Sequence, residues 1–345
     1  MDLFVTSAIS NAALRGFDIK SYTGKRFSMK FYLAPLEGIT GYVFRNTWAE
    51  YFGGMDKYVT PFISPNTKKC FTTKEKKDIL PEHNQGKYVI PQILTANAEY
   101  FIDTAKKLKA YGYQEININL GCPSGTVVTK KKGSGFLAYP EELDRFLETV
   151  FEEAYQKEKM KVSIKTRLGM EEEEEFYSIL EIYNKYPLEE LVIHPRVQKD
   201  FYKKPIHLDY FEEIHKNSKA KVCYNGDIFT PKLYMEFTER FPEIENVMLG
   251  RGILVNPGLL TEIKTGKPME KEILYRFLEQ LCKAYEEALS GDWNVLYKVK
   301  ELWFYLAHSF TDYEPYLKKI KKANKLEEYQ RVVERLFAEQ ELRKW

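Results

Sequence analysis

The chain has 345 residues, of which 44% are hydrophobic and 30% are charged. This length is enough for one large α/β barrel with an appended domain, and the ordinary composition excludes disordered and fibrous proteins. No apolar run approaches the roughly 18 to 20 residues that a membrane span requires, and the first residues lack the pattern of a signal peptide. We therefore expect a cytoplasmic protein that has no membrane partner.

The net charge and the cysteines limit which ligands the chain can bind. The 52 basic and 50 acidic residues leave a formal charge of +2, so any surface that binds nucleic acid must be local. Cys70, Cys122, Cys223 and Cys282 are too widely spaced for a metal knuckle and too few to crosslink a chain of this length. We expect no metal site, although a single cysteine could still be catalytic.

Between residues 31 and 260, short β-rich runs alternate with longer segments of helical period, which is typical of parallel βα units. Strands are predicted at 31–34, 57–61, 88–93, 115–120, 161–166, 191–194, 220–224 and 246–249. Helices are predicted at 43–51, 98–110, 142–156, 176–186, 210–215 and 232–240. Eight such strands predict a (β/α)8 TIM barrel of the α/β class, with its active site at the carboxyl ends of the strands.

After Pro257 the strand pattern stops and amphipathic segments follow. They predict helices at 271–289, 293–309, 313–322 and 326–344. We therefore divide the chain into an N-terminal extension with no assigned role (1–28), a catalytic barrel (29–257) and a C-terminal all-helical domain (258–345).

The sequence Asn119-Leu120-Gly121-Cys122-Pro123 places a thiol at the end of the fourth predicted strand. Gly121 permits an unusual backbone turn and Pro123 fixes the exit of the loop, so the thiol is expected at the mouth of the barrel. The alternative is a small buried apolar residue, the commonest fate of a free cysteine. Because an unperturbed thiol has a pKa of about 8.5, Cys122 is predicted to donate a proton at neutral pH.

Two glycine-containing turns follow the last two strands. Asn225-Gly226-Asp227 comes after the seventh strand, and Gly250-Arg251 comes after the eighth. The loops after these strands usually form the phosphate site of a barrel, where backbone N–H groups surround the anion. We therefore predict a phosphate-bearing cofactor or substrate here, with Arg251 supplying positive charge.

Polar residues also end three other strands. They are Gln92, Lys165 with Arg167, and His194 with Arg196. A lysine in a β-rich run is costly to bury unless it meets an anion or an electron-rich acceptor. An ion pair at the barrel mouth is the alternative for Lys165, and a hydrogen-bonded core position is the alternative for His194. Taken together, these residues and the phosphate loops predict a site for a planar phosphorylated cofactor.

Six segments of the sequence resemble the dihydrouridine synthase family. They occur in order across residues 31–257, and although each match is short, the set is highly specific. The segments are Ala34-Pro35-Leu36-Glu37-Gly38-Ile39-Thr40, Asn119-Leu120-Gly121-Cys122-Pro123, Lys165-Thr166-Arg167-Leu168-Gly169, His194-Pro195-Arg196, Asn225-Gly226-Asp227-Ile228 and Gly250-Arg251-Gly252-Ile253-Leu254-Val255-Asn256-Pro257.

The resemblance implies an FMN-binding barrel followed by a helical domain that helps to hold RNA. It makes Cys122 the general acid. It places Pro35, Leu36, Gln92, Asn119, Lys165 and His194 around the flavin ring. It assigns the ribityl chain and the phosphate to Asn225, Asp227, Gly250 and Arg251.

The activity that the resemblance implies is the reduction of uridine to 5,6-dihydrouridine in folded RNA, first of all tRNA, with rRNA also open. NADPH would reduce FMN, hydride would pass from flavin N5 to uracil C6, and Cys122 would protonate C5. We expect a monomer. Two alternatives are an FMN barrel that oxidises or reduces a free pyrimidine, as dihydroorotate dehydrogenases do, and a relative that binds RNA without catalysis.

A local basic stripe is predicted in the C-terminal region. Lys318, Lys322 and Lys325 have i, i+4, i+7 spacing, which places three cations on one face of a helix. An ordinary solvated helix face is the alternative. Because the resemblance assigns this region to RNA, we predict that these lysines contact RNA phosphates.

Overall fold

The computed structural model of this protein describes residues 29–344. The predicted N-terminal extension, 1–28, lies outside the described residues. None of the helices within 29–344 combines the length and the apolar character that crossing a membrane requires.

Nine short parallel strands form the barrel. They are β1 (Lys30–Leu33), β2 (Lys57–Val59), β3 (Val89–Ile90), β4 (Gln92–Ile93), β5 (Glu115–Leu120), β6 (Lys161–Thr166), β7 (Leu191–Ile193), β8 (Val222–Tyr224) and β9 (Asn246–Leu249). Their order in the sheet is β3-β2-β1-β9-β8-β7-β6-β5-β4. Strands β3 and β4 are parts of one run that is interrupted at Pro91, which has no N–H to donate. The two ends of the sheet therefore meet, and the sheet closes as the predicted (β/α)8 barrel.

The described residues also form fourteen α-helices. They are α1 (Tyr42–Phe52), α2 (Thr73–Ile79), α3 (Ala98–Ala110), α4 (Gly125–Val128), α5 (Pro140–Val150), α6 (Glu175–Tyr183), α7 (Leu208–Asn217), α8 (Pro231–Arg240), α9 (Arg251–Val255), α10 (Leu259–Thr265), α11 (Lys271–Ala288), α12 (Asp292–Leu306), α13 (Glu314–Lys322) and α14 (Leu326–Glu339). A π-helical segment, Phe151–Lys157, continues α5.

Two differences from the predicted helices have local causes. Helix α2 is absent from the prediction because its sequence, TKEKKDI, has little apolar periodicity. It begins with a capping box, in which Thr72 accepts from the backbone of Glu75 and the Glu75 side chain accepts from the backbone of Thr72. Helix α14 ends at Glu339 instead of 344, because the chain then turns back and Leu342 forms an antiparallel bridge with Phe310.

The alternation of side chains along β5 separates the two sides of the barrel wall. The sequence of this strand is EININL, and its three apolar residues belong to the main hydrophobic core between the strands and the helices. The alternating residues Glu115, Asn117 and Asn119 point to the barrel interior, where each hydrogen-bonds to side chains from other strands or their ends. The barrel interior therefore carries polar side chains from its amino end to its mouth.

The helices that follow the barrel are joined to its mouth. Helix α11 packs against α1, and α12 packs against α9. The hydroxyl of Ser309 donates to the carbonyl of Val255. Lys298 Nζ, on α12, donates to the Gly38 carbonyl at 2.6 Å, in the loop after β1. The helical region thus contacts the loops after the first and last strands, on the side where a barrel carries its active site.

A charged cluster lies at the opposite, amino end of the barrel. Lys57 Nζ lies 3.3 Å from a Glu115 oxygen and 3.5 Å from a Glu190 oxygen. Tyr32 and Asn246 both donate to Glu190 Oε1, at 2.9 Å and 2.8 Å. Both carboxylates are buried, and this end of a barrel contributes to stability and not to catalysis.

We expect Glu190→Ala to lower the free energy of unfolding by about 2–4 kcal/mol, because it leaves Tyr32 and Asn246 without their buried acceptor and Lys57 with one carboxylate. Urea unfolding measures the loss. The control Glu189→Ala removes one partner of an exposed ion pair and should cost less than about 1 kcal/mol. Equal losses in the two variants would contradict a stabilising role for the buried cluster.

Candidate active site

A cavity opens at the carboxyl ends of the strands. Its lining comes from the loops after β1, β5, β6, β7, β8 and β9. The structure brings nine of the predicted cofactor-binding residues together there, whereas Gln92 and Asn119 lie beside the cavity within the barrel. The nine residues are Pro35, Leu36, Lys165, His194, Asn225, Gly226, Asp227, Gly250 and Arg251.

Asp227 lies between two arginines at one side of this cavity. Arg196 Nη1 donates to Asp227 Oδ1 at 3.0 Å and Arg196 Nη2 donates to Oδ2, while Arg251 Nη2 donates to the same Oδ1. Burial alone would raise the pKa of Asp227, but the hydrogen bonds and charges of the two arginines lower it. The ionised carboxylate therefore orients both guanidinium groups.

The site carries more positive charge than its carboxylate can balance. Within the described lining of the cavity, Asp227 is the one acidic residue. Four cations, Lys165, Arg167, Arg196 and Arg251, lie close enough to His194 for their charges to lower its pKa. Because partly buried charges need counter-charges, the arrangement favours an anionic ligand such as a phosphate ester.

Loop geometry at the phosphate end requires a glycine at position 252. A Cβ added to Gly252 would lie 2.1 Å from the Ile228 carbonyl oxygen. No side chain fits at that distance. The close approach allows α9, which begins at Arg251, to lie against the loop after β8 and brings Arg251 to Asp227.

The ring of His194 is held in one neutral tautomer. Its Nδ1 lies 2.7 Å from the carbonyl oxygen of Asn225, which can only accept, so Nδ1 carries the hydrogen. Its Nε2 lies 3.2 Å from Arg196 Nη1 and accepts from it. Burial and then the surrounding cations push the pKa of His194 well below its ordinary value. Both ring nitrogens are therefore occupied by the protein, and proton transfer by this imidazole is disfavoured.

The side chain of Lys165 is the unpaired cation of the site. No residue between 29 and 344 forms a hydrogen bond or an ion pair with its ammonium. Burial, followed by the nearby charge of Arg167, lowers the pKa of Lys165 to about 8. An ammonium without a partner at a cavity wall is suited to an electron-rich or anionic ligand.

Arg167, predicted as one of the polar strand ends, and Tyr202, which the sequence-based prediction does not include, both line the cavity. Arg167 donates to three backbone carbonyls, those of Gly121, Val197 and Phe201. The Tyr202 ring centroid lies 5.1 Å from the Arg167 guanidinium and 4.2 Å from that of Arg251. Arg167 thus ties the cysteine loop to the loop after β7. In the sequence, Tyr202 follows the basic end of β7 at Arg196. An aromatic residue in that position was the signal that could have identified Tyr202 as a site residue.

The loop that carries Cys122 is held by hydrogen bonds at both of its backbone polar groups. Its N–H donates to Asn119 Oδ1 at 3.0 Å. Its carbonyl accepts from the backbone N–H and the hydroxyl of Ser134, at 3.1 Å and 2.8 Å. Gly133 has a φ of +57°, and a Cβ there would lie 2.8 Å from the same carbonyl oxygen. The cysteine is therefore presented on a constrained loop.

The thiol of Cys122 is half-buried beside the cavity. Burial raises its pKa, and the charges of Arg167 and Lys165 only partly oppose that rise. The thiol is consequently protonated at neutral pH, which suits a proton donor and not a nucleophile. Cys223 is buried in the barrel interior and Cys282 in α11, where both act as packing residues.

Gln92 and Asn119 belong to a hydrogen-bonded chain inside the barrel. Asn119 Nδ2 donates to Gln92 Oε1 at 2.7 Å, Gln92 Nε2 donates to Asn117 Oδ1 at 2.8 Å, and Asn117 Nδ2 donates to Ser163 Oγ at 2.9 Å. The chain fixes the amide of Asn119, whose oxygen holds the backbone of Cys122. Gln92 thus supports the cysteine loop from within the barrel.

A second polar cluster joins two loops beside the cavity. His207 Nε2 lies 3.0 Å from Glu173 and 3.2 Å from Asp200. These three side chains have ligand atoms close enough to surround a metal ion. Their contacts with one another already connect the loop after β6 to the loop after β7, and we assign them that structural role.

The three lysines predicted to bind RNA are exposed, but they do not share one helix. Lys318 and Lys322 lie on α13, which ends at Lys322. Lys325 precedes α14 with an extended backbone, at φ −125° and ψ 148°. The prediction of three lysines on one helical face is therefore wrong for Lys325, because the chain leaves the helix before that residue.

Comparisons with known proteins agree with this geometry. A family model described as "Dihydrouridine synthase (Dus)" matches residues 32–343. A probable tRNA-dihydrouridine synthase from Staphylococcus aureus (strain COL) is 30% identical over 236 residues, covering 66% of this chain and 69% of the relative. The tRNA-dihydrouridine synthase B of Vibrio vulnificus (strain CMCP6) is 28% identical over 238 residues, covering 68% and 70%.

A solved structure resembles the fold. Histamine dehydrogenase from Rhizobium sp. 4-9 aligns with a TM-score of 0.53 at 12% identity, covering 69% of this chain and 46% of that chain. At this identity the likeness supports the barrel fold alone.

We expect Lys165→Met to make the protein without a bound ligand more stable at pH 7 and this advantage to shrink as the pH rises. The pKa of Lys165 is about 8 in the folded protein against an ordinary 10.5, so between these values the unfolded chain binds more protons and the parent gains stability with pH. Urea unfolding from pH 7 to 10 measures the difference. The exposed Lys161→Met is the control. A pH-independent advantage would contradict the lowered pKa.

Proposed function

Because this chain belongs to the dihydrouridine synthase family, we propose that it uses a bound flavin to reduce uridine to 5,6-dihydrouridine in tRNA. The observation that carries this proposal is the juxtaposition at the barrel mouth. A protonated thiol on a constrained loop lies beside a cavity with an excess of cations. The cavity provides an anion site and the thiol provides an acid.

The residues present fit FMN, which has a planar ring system and one phosphate group. Arg251, oriented by Asp227, offers a charged donor for that phosphate. We assign the phosphate and the ribityl chain to Asn225, Gly226, Gly250 and Arg251. Lys165, whose ammonium finds no protein partner in the described residues, would face the ring. We propose NADPH as the reductant, and the bound flavin would supply the hydride that uracil C6 accepts.

Cys122 completes the reduction by giving a proton to C5. The C5=C6 bond of uracil is polarised by the C4 carbonyl, so addition of hydride at C6 places negative charge on C5 and the carbonyl oxygen. An acid close to C5 neutralises this charge as it forms. The raised pKa of Cys122 keeps its proton available at neutral pH. Asn119 and Ser134, which hold both backbone groups of the cysteine, are positioning residues.

Lys165 and His194 have supporting roles in the site. Lys165 can stabilise negative charge that develops beside it. His194 has both nitrogens bound within the protein and therefore positions Asn225 and Arg196. The target base must leave its stack to reach the mouth of a barrel, so the RNA has to be unpaired or locally opened at the modified uridine.

RNA contacts outside the cavity are assigned to the helical region. Lys318, Lys322 and Lys325 are exposed, and none of the ion pairs among residues 29–344 includes them. We therefore keep them as candidates for contacts with RNA phosphates, with Lys325 on a different element from the other two. rRNA would offer the same phosphate groups, so the choice of tRNA depends on the family.

We expect Cys122→Ala to retain its flavin and to be reduced by NADPH at the parental rate, but to form dihydrouridine about 10²–10⁴-fold more slowly, because the thiol acts only as an acid toward uracil. Flavin absorbance and mass spectrometry of digested tRNA measure the two steps separately. Cys70→Ala, which changes a half-buried cysteine outside the cavity, is the control. Parental rates of dihydrouridine formation would remove Cys122 from the mechanism.

We expect Arg251→Ala to weaken FMN binding about ten- to a hundredfold, because a charge-assisted hydrogen bond to phosphate contributes roughly 1.5–3 kcal/mol. The rate of uridine reduction by flavin-saturated enzyme should fall much less, since this contact is equal in the ground and transition states. Titration of flavin-free protein with FMN measures the affinity. Arg240→Ala, on the outer surface of α8, is the control. Unchanged FMN affinity would place the phosphate elsewhere.

A further inference from the structure

Helix α12 presents three large aromatic side chains to solvent. Trp293 is 65% exposed, Tyr297 is 57% exposed and Phe304 is 41% exposed. They are separated by four and seven residues, so at 3.6 residues per turn they lie within roughly 40° of one another around the helix axis. We call these three residues the aromatic row.

The row occupies the part of the helix where polar residues are expected. The buried side of α12 is formed by Val295, Leu296, Val299, Leu302, Trp303 and Leu306. In a surface helix the side opposite such a face is normally charged or polar. Single exposed aromatic residues are unremarkable, but three in line on one solvent-facing side indicate a binding surface.

Cationic side chains accompany the aromatic row. Lys321 Nζ lies 4.7 Å from the ring centroid of Phe304, and Lys298 Nζ lies 5.6 Å from that of Tyr297. Lys300, which lies between Tyr297 and Phe304 on α12, donates to the carbonyls of Lys321 and Ala323. Lys298 also pairs with Glu301 on the same helix, at 2.7 Å, whereas none of the ion pairs among residues 29–344 includes Lys321, so Lys321 remains available to a phosphate. Aromatic rings with a cation beside them match the two parts of a single-stranded nucleic acid, its bases and its phosphates.

The aromatic row is continuous with the mouth of the barrel. Lys298 donates to the carbonyl of Gly38, in the loop after β1. In the same loop, Glu37 forms an exposed ion pair with Lys74 at 2.6 Å, and Leu36 lines the cavity. A strand of RNA that crosses the row would therefore lead toward the cavity.

We propose that Trp293, Tyr297 and Phe304 form a platform on which unpaired bases of the RNA substrate stack while the target uridine is in the cavity. The inference rests on the proposed function, because it takes RNA as the substrate. The row extends about 16 Å along the helix at about 1.5 Å per residue, which is long enough to contact several nucleotides of an unpaired strand. The platform recognises flexible, unpaired RNA, because every base offers a ring face and a paired duplex does not.

The experiment measures the affinity for an unmodified tRNA transcript at several salt concentrations. Trp293→Ala, Tyr297→Ala and Phe304→Ala should each raise Kd about tenfold, in line with the loss of one stacked base. Trp293→Phe should retain most of the parental affinity, because it keeps a ring. Tyr155→Ala changes an exposed aromatic residue of the barrel's outer surface and should bind tRNA as the parent does.

The salt dependence separates stacking from phosphate contacts. Loss of a ring releases no counterions, so the three alanine variants should keep the parental slope of log Kd against log salt. Charge reversal of Lys318, Lys322 and Lys325 should instead flatten this slope by up to about one unit per lost contact. In steady-state kinetics, the loss in the alanine variants should appear in KM for tRNA and not in kcat.

A variant in which Trp293, Tyr297 and Phe304 are all replaced by alanine completes the series. If this triple alanine variant folds and binds tRNA with unchanged affinity, the proposed platform is wrong. A change from oligomer to monomer in that variant, with unchanged tRNA affinity, would likewise overturn it and identify the row as a contact between copies of the chain. Failure of the proposed function is distinguishable, because the parent enzyme itself would then form no dihydrouridine in the transcript.

Discussion

The contact between Asp227 and two arginines is the interaction on which the active site depends. It joins three consecutive strand ends, since Arg196 follows β7, Asp227 follows β8 and Arg251 follows β9. One carboxylate cannot neutralise two guanidinium groups, so the same contact that fixes the loops leaves positive charge for a ligand. The structure therefore couples the closing of the barrel's last strands to the formation of an anion site.

Hydrogen bonds in the polar interior of the barrel fix the position of the Cys122 thiol as well. The alternation of β5 directs Asn117 and Asn119 inward, and Gln92 joins them in one chain of hydrogen bonds. The chain ends at the backbone of Cys122, so the thiol is positioned by residues that do not line the cavity. The same alternation places Glu115 at the far end of the barrel, where its charge is balanced by Lys57. One strand pattern thus places a stabilising carboxylate at one end of the barrel and the support of the Cys122 loop at the other.

The features that could be predicted from the sequence are those that a short segment specifies by itself. The strands follow β-rich runs bounded by turns, and the cysteine loop follows from its glycine and proline. The break of the third strand at Pro91 was readable but was missed, as was the capping box of Thr72 and Glu75 that starts α2. The pairing of Asp227 and the position of Tyr202 over two guanidinium groups depend on contacts between distant loops. No single segment specifies such contacts, so the sequence alone could not predict them.

In the proposed reaction, electrons pass through one bound flavin to uridine in tRNA. The most direct measurement is a single turnover without oxygen, in which enzyme reduced by one equivalent of NADPH is mixed with unmodified tRNA transcript. We expect the absorbance of oxidised flavin to return and one dihydrouridine to form for each flavin reoxidised. Flavin that stays reduced in the presence of the transcript, or dihydrouridine that forms without flavin reoxidation, would contradict the proposed reaction.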